Sequence, residues 1–216
     1  MSLHLLKIPA LALFAGLLAA CGTTSPGPGP GPGPGPGPGP GPAPGPHYVG
    51  DVDDFYAALA QRESGGDASV ENTYGYLGLY QMGEPAMMDA SWYDETAPNE
   101  TSKNDWIGAW LAAAQSNGVN SKASYLARPN AQNVAVRRYH NRVAGYISAL
   151  NLLSYEGQTI NGIEITRSGL LAACHLLGCG TVRDYLEAPG SGTPADAYGT
   201  TIEEYLSLFA NYETNF

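Results

Sequence analysis

The sequence predicts one mainly α-helical domain with a small β element and long loops. Apolar residues recur every three or four positions in several stretches, the longest at Asn130–Leu153. Glycine and proline are concentrated between Pro26 and Pro46, ahead of these stretches. The predicted domain therefore covers residues 47–216, which is enough chain for one well-buried core.

The first three helices are indicated by their first turns and their apolar spacing. Aspartates cluster at the start of the first helix, where negative charge is favourable. Pro85 is tolerated in the first turn of the second helix, and the stretch from Trp106 to Leu111 supplies the apolar side of the third. These helices are expected at Asp51–Arg62, Glu84–Trp92 and Asp105–Ser116.

The last three helices have an apolar side or a capping residue. In the longest, apolar residues recur at helical spacing from Ala135 to Leu153, so that one side should face a core. Thr166 or Ser168 is expected to cap the next helix, and Thr200-x-x-Glu203 is a capping-box pattern ahead of the last. These helices are expected at Asn130–Leu153, Thr166–Leu176 and Ile202–Tyr212.

A small β element is expected at residues 160–165. Apolar residues alternate there around Asn161-Gly162. An Asn-Gly pair favours a two-residue hairpin turn, because both residues readily adopt positive φ. Residues 47–216 show no internal repeat, so the hairpin and the six helices are predicted to form a single domain.

The charge and the composition exclude several classes of protein. The 216 residues include 10 Lys and Arg against 20 Asp and Glu, a formal net charge of −10. Because non-specific nucleic-acid binding needs a basic face, nucleic acid is not an expected partner. The chain has no Cys-x-x-Cys pair and no two histidines at ligand spacing, so we expect no metal, and nothing indicates an organic cofactor.

The N-terminus is typical of a bacterial secretion signal. Residues 1–20 combine a weakly positive start with an apolar run, Ile8–Leu18, that is too short to span a bilayer. The residues at its end, Leu18-Ala19-Ala20-Cys21, resemble a lipobox. The resemblance implies that Cys21 is lipidated and begins the mature protein, and Gly22 implies anchoring at the periplasmic face of the outer membrane. An ordinary signal peptide that contains a cysteine is the alternative.

Residues 21–46 are predicted to tether the domain to the membrane. Glycine recurs every second residue through most of this segment, whereas collagen needs it at every third. Proline fixes φ and donates no backbone hydrogen bond, so no packed structure is expected. The stretch from Pro26 to Pro46 could reach ~60 Å when extended, which would let the domain reach into the cell wall.

Cys174 and Cys179 are the other two cysteines of the chain. In the oxidising compartment implied by the N-terminus, two cysteines can pair. Their five-residue separation across Gly178 suits a small disulfide loop. Two buried thiols are the alternative.

The candidate catalytic residue is Glu63, which is followed by Ser64 and two glycines where the first helix is expected to end. Gly75, Gly78 and Gln81 then follow at fixed positions, with an apolar residue directly after Gly78. The whole spacing resembles, without a gap, the Glu-Ser…Gly-x-x-Gly-Leu-Met-Gln signature of lytic transglycosylases of the goose-type lysozyme superfamily. The resemblance implies an α+β lysozyme-like fold and a domain that acts on peptidoglycan glycan strands.

The resemblance also implies a role for each residue of the signature. Glu63 would be the only catalytic acid and base, Gly78 would let the backbone pass close to the sugar, and Gln81 would line the groove next to Ser64. Because sugar faces stack on aromatic rings, Tyr76, Tyr80 and Tyr198 are the expected sugar contacts. Other acidic residues that could supply a second carboxylate are interpreted as loop charges or helix caps: Asp67, Asp89, Asp94, Glu95 and Asp105.

A second segment, Leu171–Val182, resembles the family's Leu-Ala-Ala-Tyr-Asn-Ala-Gly-x-Gly-x-Val pattern. It has Cys174-His175 where the family has Tyr-Asn, and one extra residue before Gly178. In the family the tyrosine helps to hold the glutamate and the asparagine contacts sugar. His175 is the natural substitute for the sugar contact, and a core histidine is the equally weighted alternative. The segments around Gln132–Tyr146 and Asp196–Thr201 look more like a divergent branch found with phage or secretion-associated wall enzymes.

The expected reaction follows from a single catalytic carboxylate. Protonated Glu63 would cleave the MurNAc-β-1,4-GlcNAc bond and leave a 1,6-anhydro end, with Leu77, Leu79 and Met82 as an apolar wall beside it. The alternatives are a hydrolytic muramidase, an inactive lysozyme-fold lipoprotein that binds peptidoglycan, and a wall-degrading effector delivered to rival cells. The lipid anchor argues against the effector. The membrane and the glycan strands are the expected partners, and protein partners in the wall are not predicted.

Overall fold

Helices dominate the computed structural model, which describes residues 50–95 and 104–216 and thus confirms the mainly α class. These residues belong to one compact unit. The signal peptide, Cys21 and the tether predicted at 21–46 lie outside the described residues. The helices are α1 (Val52–Ser64), α2 (Glu84–Asp89), α3 (Ala112–Gln115), α4 (Lys122–Leu126), α5 (Pro129–Ala149), α6 (Arg167–Leu177), α7 (Cys179–Glu187) and α8 (Ile202–Leu208).

Two separate antiparallel hairpins accompany the helices. Tyr93–Glu95 (β1) pairs with Gly108–Trp110 (β2), and Thr159–Ile160 (β3) pairs with Ile163–Glu164 (β4). The second hairpin turns at Asn161-Gly162, with φ of 50° and 83°. Positive φ at both turn residues suits the twist of a hairpin, and the predicted β element is confirmed.

The predicted start of α1 agrees with the structure. The Asp51 carboxylate accepts hydrogen bonds from the backbone N–H groups of Asp53 and Asp54, and the Asp54 side chain closes the capping box. Phe55 and Leu59, one turn apart, are buried on the apolar side. These contacts fix both the start and the orientation of the helix that ends in the candidate site.

The core lies around α6, which is apolar on nearly all sides. Its residues from Ser168 to Cys174 are buried, and it packs against α5, α7 and α8. Helix α5 is the long amphipathic helix predicted at Asn130–Leu153, but it ends at Ala149, and a 3₁₀ turn, Leu152–Tyr155, follows it. The hydroxyl of Thr166 caps α6 as expected. A helix surrounded in this way places its side chains with little freedom.

The helix predicted at Asp105–Ser116 is wrong for its first half. The buried carboxylate of Glu84 accepts hydrogen bonds from the backbone N–H groups of Asp105 and Trp106, at 3.2 and 2.7 Å. Trp106 adopts a φ of 58°, which a right-handed helix does not allow. The chain then continues into β2, and only the short α3 remains of the predicted helix.

The capping box ahead of α8 lies one residue further along than predicted. Thr201 and Glu204 form it, in place of Thr200 and Glu203. The Glu203 carboxylate accepts a hydrogen bond from the Tyr185 hydroxyl at 2.8 Å. Two further helices, α4 and α7, were not expected from the sequence.

Cys174 and Cys179 form a disulfide between the last turn of α6 and the first turn of α7. This is the pairing that the sequence predicts. Gly178, with φ of 77°, separates the two helices. Among the described residues, no helix combines the length and the apolar character needed to cross a membrane.

Candidate active site

Glu63 lies in the last turn of α1, at the edge of the core. Gly65 ends the helix with a left-handed φ of 65°, and Gly66 continues with φ of 81°. Glycine adopts such angles without steric cost, so the chain turns away directly after Glu63 and Ser64. The Glu63 side chain keeps 13% of its surface exposed, which shields the carboxylate from bulk water but leaves it accessible to a ligand.

In the part of the chain that the structure describes, both polar contacts of the Glu63 carboxylate involve one oxygen. The Tyr205 hydroxyl, on α8, donates a hydrogen bond of 2.6 Å to Oε1. His175, on α6, has its Nε2 3.8 Å from the same oxygen. Within residues 50–95 and 104–216, Oε2 has no hydrogen-bond partner. The protein therefore holds one oxygen and leaves the other able to exchange a proton with a ligand.

The Tyr205 hydroxyl remains available as a hydrogen-bond donor to the Glu63 carboxylate. Burial raises the pKa of its phenol above the usual range, and the charge of Glu63 and the hydrogen bond to it raise this pKa further. The Arg62 guanidinium lies 5.6 Å from the centre of the ring. Its charge lowers the pKa of Tyr205 but does not cancel the rise. The hydroxyl consequently keeps its proton at neutral pH and donates a charge-assisted hydrogen bond whenever Glu63 is ionised.

His175 is held at both ring nitrogens and is 6% exposed. Its Nε2 lies 3.0 Å from the backbone carbonyl oxygen of Tyr80, and its Nδ1 lies 3.0 Å from Nε2 of His140. Because a carbonyl can only accept, the His175 proton is on Nε2. The sequence left His175 open as a sugar contact or a core histidine. In the structure both of its ring nitrogens are hydrogen-bonded to the protein, close to Glu63.

Ser64 and Gly78 serve the packing between α1 and the following loop. The Ser64 hydroxyl lies 3.0 Å from the carbonyl oxygens of both Ala60 and Leu79. Gly78 has a φ of 69°, and a Cβ at this position would lie 2.7 Å from Cδ of Gln132. The absence of a side chain at Gly78 therefore makes room for Gln132, whereas the sequence interpretation assigned this glycine to close approach of a sugar.

Gln132 is fully buried and holds the glycine-rich loop in place. Its Oε1 accepts a hydrogen bond of 2.8 Å from the Leu79 backbone N–H. Its Nε2 donates to the carbonyl oxygens of Ala68 and Tyr125, both at 2.9 Å. A buried amide whose oxygen and nitrogen are both hydrogen-bonded fixes the backbone groups around it. Because Gln132 holds the Leu79 backbone, it also positions the following residue, Tyr80, whose carbonyl oxygen contacts His175.

Tyr80 and Gln81 differ from the expected sugar contacts. The Tyr80 side chain is 3% exposed, and its hydroxyl donates a 2.6 Å hydrogen bond to Oδ1 of Asn133. A ring so buried offers no face to a sugar, so only the Tyr80 carbonyl belongs to the site. Gln81 has a φ of 43°, and its side-chain amide donates to the Gly78 carbonyl at 3.0 Å.

Tyr76 and Tyr198 are exposed, by 41% and 59%. The Tyr198 ring packs edge-on against Tyr74 with centroids 5.6 Å apart, and its hydroxyl lies 2.8 Å from the Thr73 hydroxyl. We call Tyr74, Tyr76 and Tyr198 the tyrosine platform. Burial raises the pKa of Tyr76, and the charges of Asp196 and Tyr198 add to this rise. The Asp196 charge also contributes to the raised pKa of Tyr205.

The acidic residues considered as a second catalytic carboxylate serve local structure. Asp67 accepts hydrogen bonds from the backbone N–H and hydroxyl of Ser69, Asp89 accepts from the Tyr146 hydroxyl, and Asp105 accepts from the Ile107 backbone N–H. Asp94 and Glu95 are part of β1. Asp196, which was not among the acidic residues considered, accepts from the backbone N–H groups of Tyr198 and Thr200.

Tyr205 and His140 are the site residues that the sequence interpretation missed. Neither residue was given a role in the site from the sequence, and both are buried. A buried tyrosine or histidine usually has a hydrogen-bond partner, and this general rule is the signal that could have pointed to them.

The described residues contain no group of three or more metal-ligating side chains.

Comparison with known proteins does not place the chain in a family. No protein-family model matches it, and no curated protein and no solved structure is significantly similar to it. Its function has to be inferred from the motif at residues 63–81 and from the geometry around Glu63.

Proposed function

We propose that this protein is a peptidoglycan lytic transglycosylase in which Glu63 is the single catalytic acid and base. The observation that carries the proposal is the one-sided arrangement of the carboxylate. Oε1 is bound by Tyr205 and flanked by His175, while Oε2 has no partner among the described residues. A lysozyme-like fold, implied by the Glu63–Gln81 motif, belongs to the same proposal.

The proposed reaction uses Oε2 twice. Protonated Glu63 donates its proton to the oxygen between MurNAc and GlcNAc, and the bond from MurNAc C1 to this oxygen breaks. The N-acetyl group of the same sugar stabilises the positive charge at C1. The Glu63 carboxylate then takes the proton of the C6 hydroxyl, whose oxygen bonds to C1. The 1,6-anhydro end forms without water, and Glu63 regains its proton.

The tyrosine platform is the proposed place for sugars next to the cleaved bond. The exposed rings of Tyr76 and Tyr198 can cover apolar sugar faces, and their hydroxyls can bind sugar hydroxyls. The lipobox and the tether at residues 21–46 suggest a lipid-anchored enzyme at the periplasmic face of the outer membrane. The glycan strands of peptidoglycan are within reach of an enzyme tethered there.

A peptidoglycan-binding lipoprotein without activity is the second candidate function. It is favoured by His175, because the donor that would replace the family's sugar-binding asparagine is bonded to the Tyr80 carbonyl. A hydrolytic muramidase would use the same Glu63 proton but accept water at C1.

The test is digestion of purified sacculi by the full-length protein and by its Glu63→Gln variant. The transglycosylase proposal predicts soluble muropeptides from the wild type and a rate at least about 100-fold lower for Glu63→Gln. Sedimentation with sacculi should show that both proteins bind, because the substitution changes little besides the proton. Binding without release by either protein would establish the binding lipoprotein and overturn the enzyme.

A further inference from the structure

His140 and Tyr56 lie behind His175 and extend its hydrogen bonds away from Glu63. Nε2 of His140 is 3.0 Å from Nδ1 of His175. The Tyr56 hydroxyl is 3.2 Å from Nδ1 of His140. These three side chains form a row that starts in the core and ends at the Tyr80 carbonyl, 3.0 Å from His175 Nε2.

The Tyr80 carbonyl sets the direction of every hydrogen bond in this row. A carbonyl has no proton, so His175 Nε2 must donate to it. A neutral imidazole carries one N–H, and His175 Nδ1 is therefore an acceptor for the N–H on Nε2 of His140. Nδ1 of His140 in turn accepts from the Tyr56 hydroxyl. With both imidazoles neutral, each group has one arrangement of its proton that satisfies all its neighbours.

His140 and Tyr56 stay neutral at physiological pH. Burial lowers the pKa of His140 well below its usual value, and the neighbouring His175 and Arg137 lower it further. Burial raises the pKa of Tyr56 to about 12, although the Arg137 charge acts in the opposite direction. Arg137 lies 4.0 Å above the Tyr56 ring and binds the Asp53 carboxylate at 2.6 Å, which fixes the ring. The row is thus built to orient protons, because neither His140 nor Tyr56 changes charge.

We propose that His140 is a positioning residue that, together with Tyr56, holds His175 as the Nε2–H tautomer facing Glu63. The single N–H of His175 then serves the Tyr80 carbonyl in the resting enzyme and lies 3.8 Å from Oε1 when Glu63 becomes ionised. The catalytic part of this inference rests on the proposed function, whereas the tautomer does not. His175 would stabilise the carboxylate through its Nε2–H group.

The test compares two substitutions of His140 in the full-length protein labelled with ¹⁵N at histidine. His140→Phe keeps an aromatic ring among Phe55, Tyr56 and Tyr139 but removes the donor to His175. His140→Gln keeps an N–H donor. Nitrogen NMR should show His175 protonated at Nε2 in the wild type and His140→Gln. In His140→Phe a measurable fraction should be protonated at Nδ1, because only the Tyr80 carbonyl then favours the Nε2–H form. On sacculi, kcat should fall about tenfold or more in His140→Phe with KM little changed, and His140→Gln should restore most of it.

Tyr56→Phe is the second variant, because it keeps the ring beneath Arg137 and should shift the His175 tautomer less, in the same direction. An unchanged tautomer in His140→Phe would overturn the assignment of the row. A changed tautomer with unchanged kcat would overturn the positioning role. An inactive wild type whose His175 carries its proton on Nε2 would instead overturn the proposed function and, with it, the catalytic role of His140, and would support the hydrogen-bond assignment.

Discussion

The Tyr205 hydroxyl donates a hydrogen bond of 2.6 Å to Oε1 of Glu63 across 142 positions of the chain. It joins α8 to the end of α1, so the last helix of the domain holds the candidate catalytic residue of the first. In the family that the motif resembles, a tyrosine in the second segment has this role. Here that position is Cys174, which is bound to Cys179, and the supporting hydroxyl comes from a different helix.

Replacing Tyr205 with phenylalanine should lower kcat on sacculi by about tenfold to 100-fold with little change in KM. A hydrogen bond to a charged group contributes about 1.5–3 kcal/mol, and about 1.4 kcal/mol corresponds to a factor of ten in rate. Phenylalanine keeps the ring contact with Phe209, whose centroid lies 5.3 Å away. Steady-state rates of muropeptide release measure the effect.

Tyr185→Phe is the matched control for this substitution. The Tyr185 hydroxyl donates a 2.8 Å hydrogen bond to Glu203, so the control removes the same kind of bond at another carboxylate. It should leave kcat unchanged. Equal losses of activity in Tyr205→Phe and Tyr185→Phe would show that the effect is one of stability and not of the site.

Gly78→Ala should destabilise the fold by at least about 2 kcal/mol, because it places a side chain at positive φ and against a buried amide. The new Cβ would overlap the Gln132 side chain, which holds three backbone groups. Urea denaturation gives the free energy of unfolding. Gly145→Ala, in α5, is the control, because a Cβ there meets nothing within 4 Å, and it should stabilise the helix by about 0.5–1 kcal/mol. A neutral Gly78→Ala would contradict the role given to Gln132.

Tyr125→Phe should stabilise the protein by about 1 kcal/mol at neutral pH. The side chain is fully buried, and among the described residues its hydroxyl has no hydrogen-bond partner. The ring stacks on Trp110 with centroids 5.7 Å apart, a contact that phenylalanine retains. A destabilised variant would mean that the hydroxyl has a partner in solution.

The advantage of Tyr125→Phe should grow in alkali. Burial raises the pKa of Tyr125 above its usual value, so the folded protein keeps a proton that the unfolded chain loses above a pH of about 10. The stability of the wild type therefore falls as pH rises, by about 1.4 kcal/mol per pH unit for each such tyrosine. Urea denaturation of both proteins, at about pH 8 and about pH 11, measures the difference. A constant difference would contradict the raised pKa.

Replacing both Cys174 and Cys179 with alanine should destabilise the fold by about 2 kcal/mol, as expected for a small disulfide loop. Muropeptide release should fall as well, because His175 is the neighbour of Cys174 in the last turn of α6. Thermal unfolding with and without a reducing agent measures the first effect. The reductant should lower Tm of the wild type only, and an equal effect on the variant would argue against the disulfide.

Local signals in the sequence predicted the mainly α class and several of its elements correctly. The apolar period of α5 and the Asn161-Gly162 turn act over a few residues, and both elements are present in the structure. The helix expected at Asp105–Ser116 failed because a distant carboxylate, Glu84, takes the backbone N–H groups of its first residues. A contact with a residue outside the predicted helix cannot be inferred from the apolar spacing within residues 105–116.

The candidate site likewise contains residues that the sequence could locate and contacts that it could not. Glu63 and Gly78 could be located because of their spacing to Gly75 and Gln81 in the motif. The partners of Glu63, by contrast, come from α6 and α8. Their roles depend on how helices pack, and neither Tyr205 nor His175 stands at a distance in sequence that would predict the contact.

The most direct test of the proposed mechanism is the mass of the products formed in water enriched in heavy oxygen. Wild-type protein should release muropeptides with 1,6-anhydro ends, lighter by one water than hydrolysis products and without heavy oxygen, and Glu63→Gln should release almost none. Reducing ends that carry heavy oxygen would show that water attacks C1 and that the enzyme is a muramidase. Equal release by wild type and Glu63→Gln would contradict the assignment of Glu63 as the catalytic acid and base.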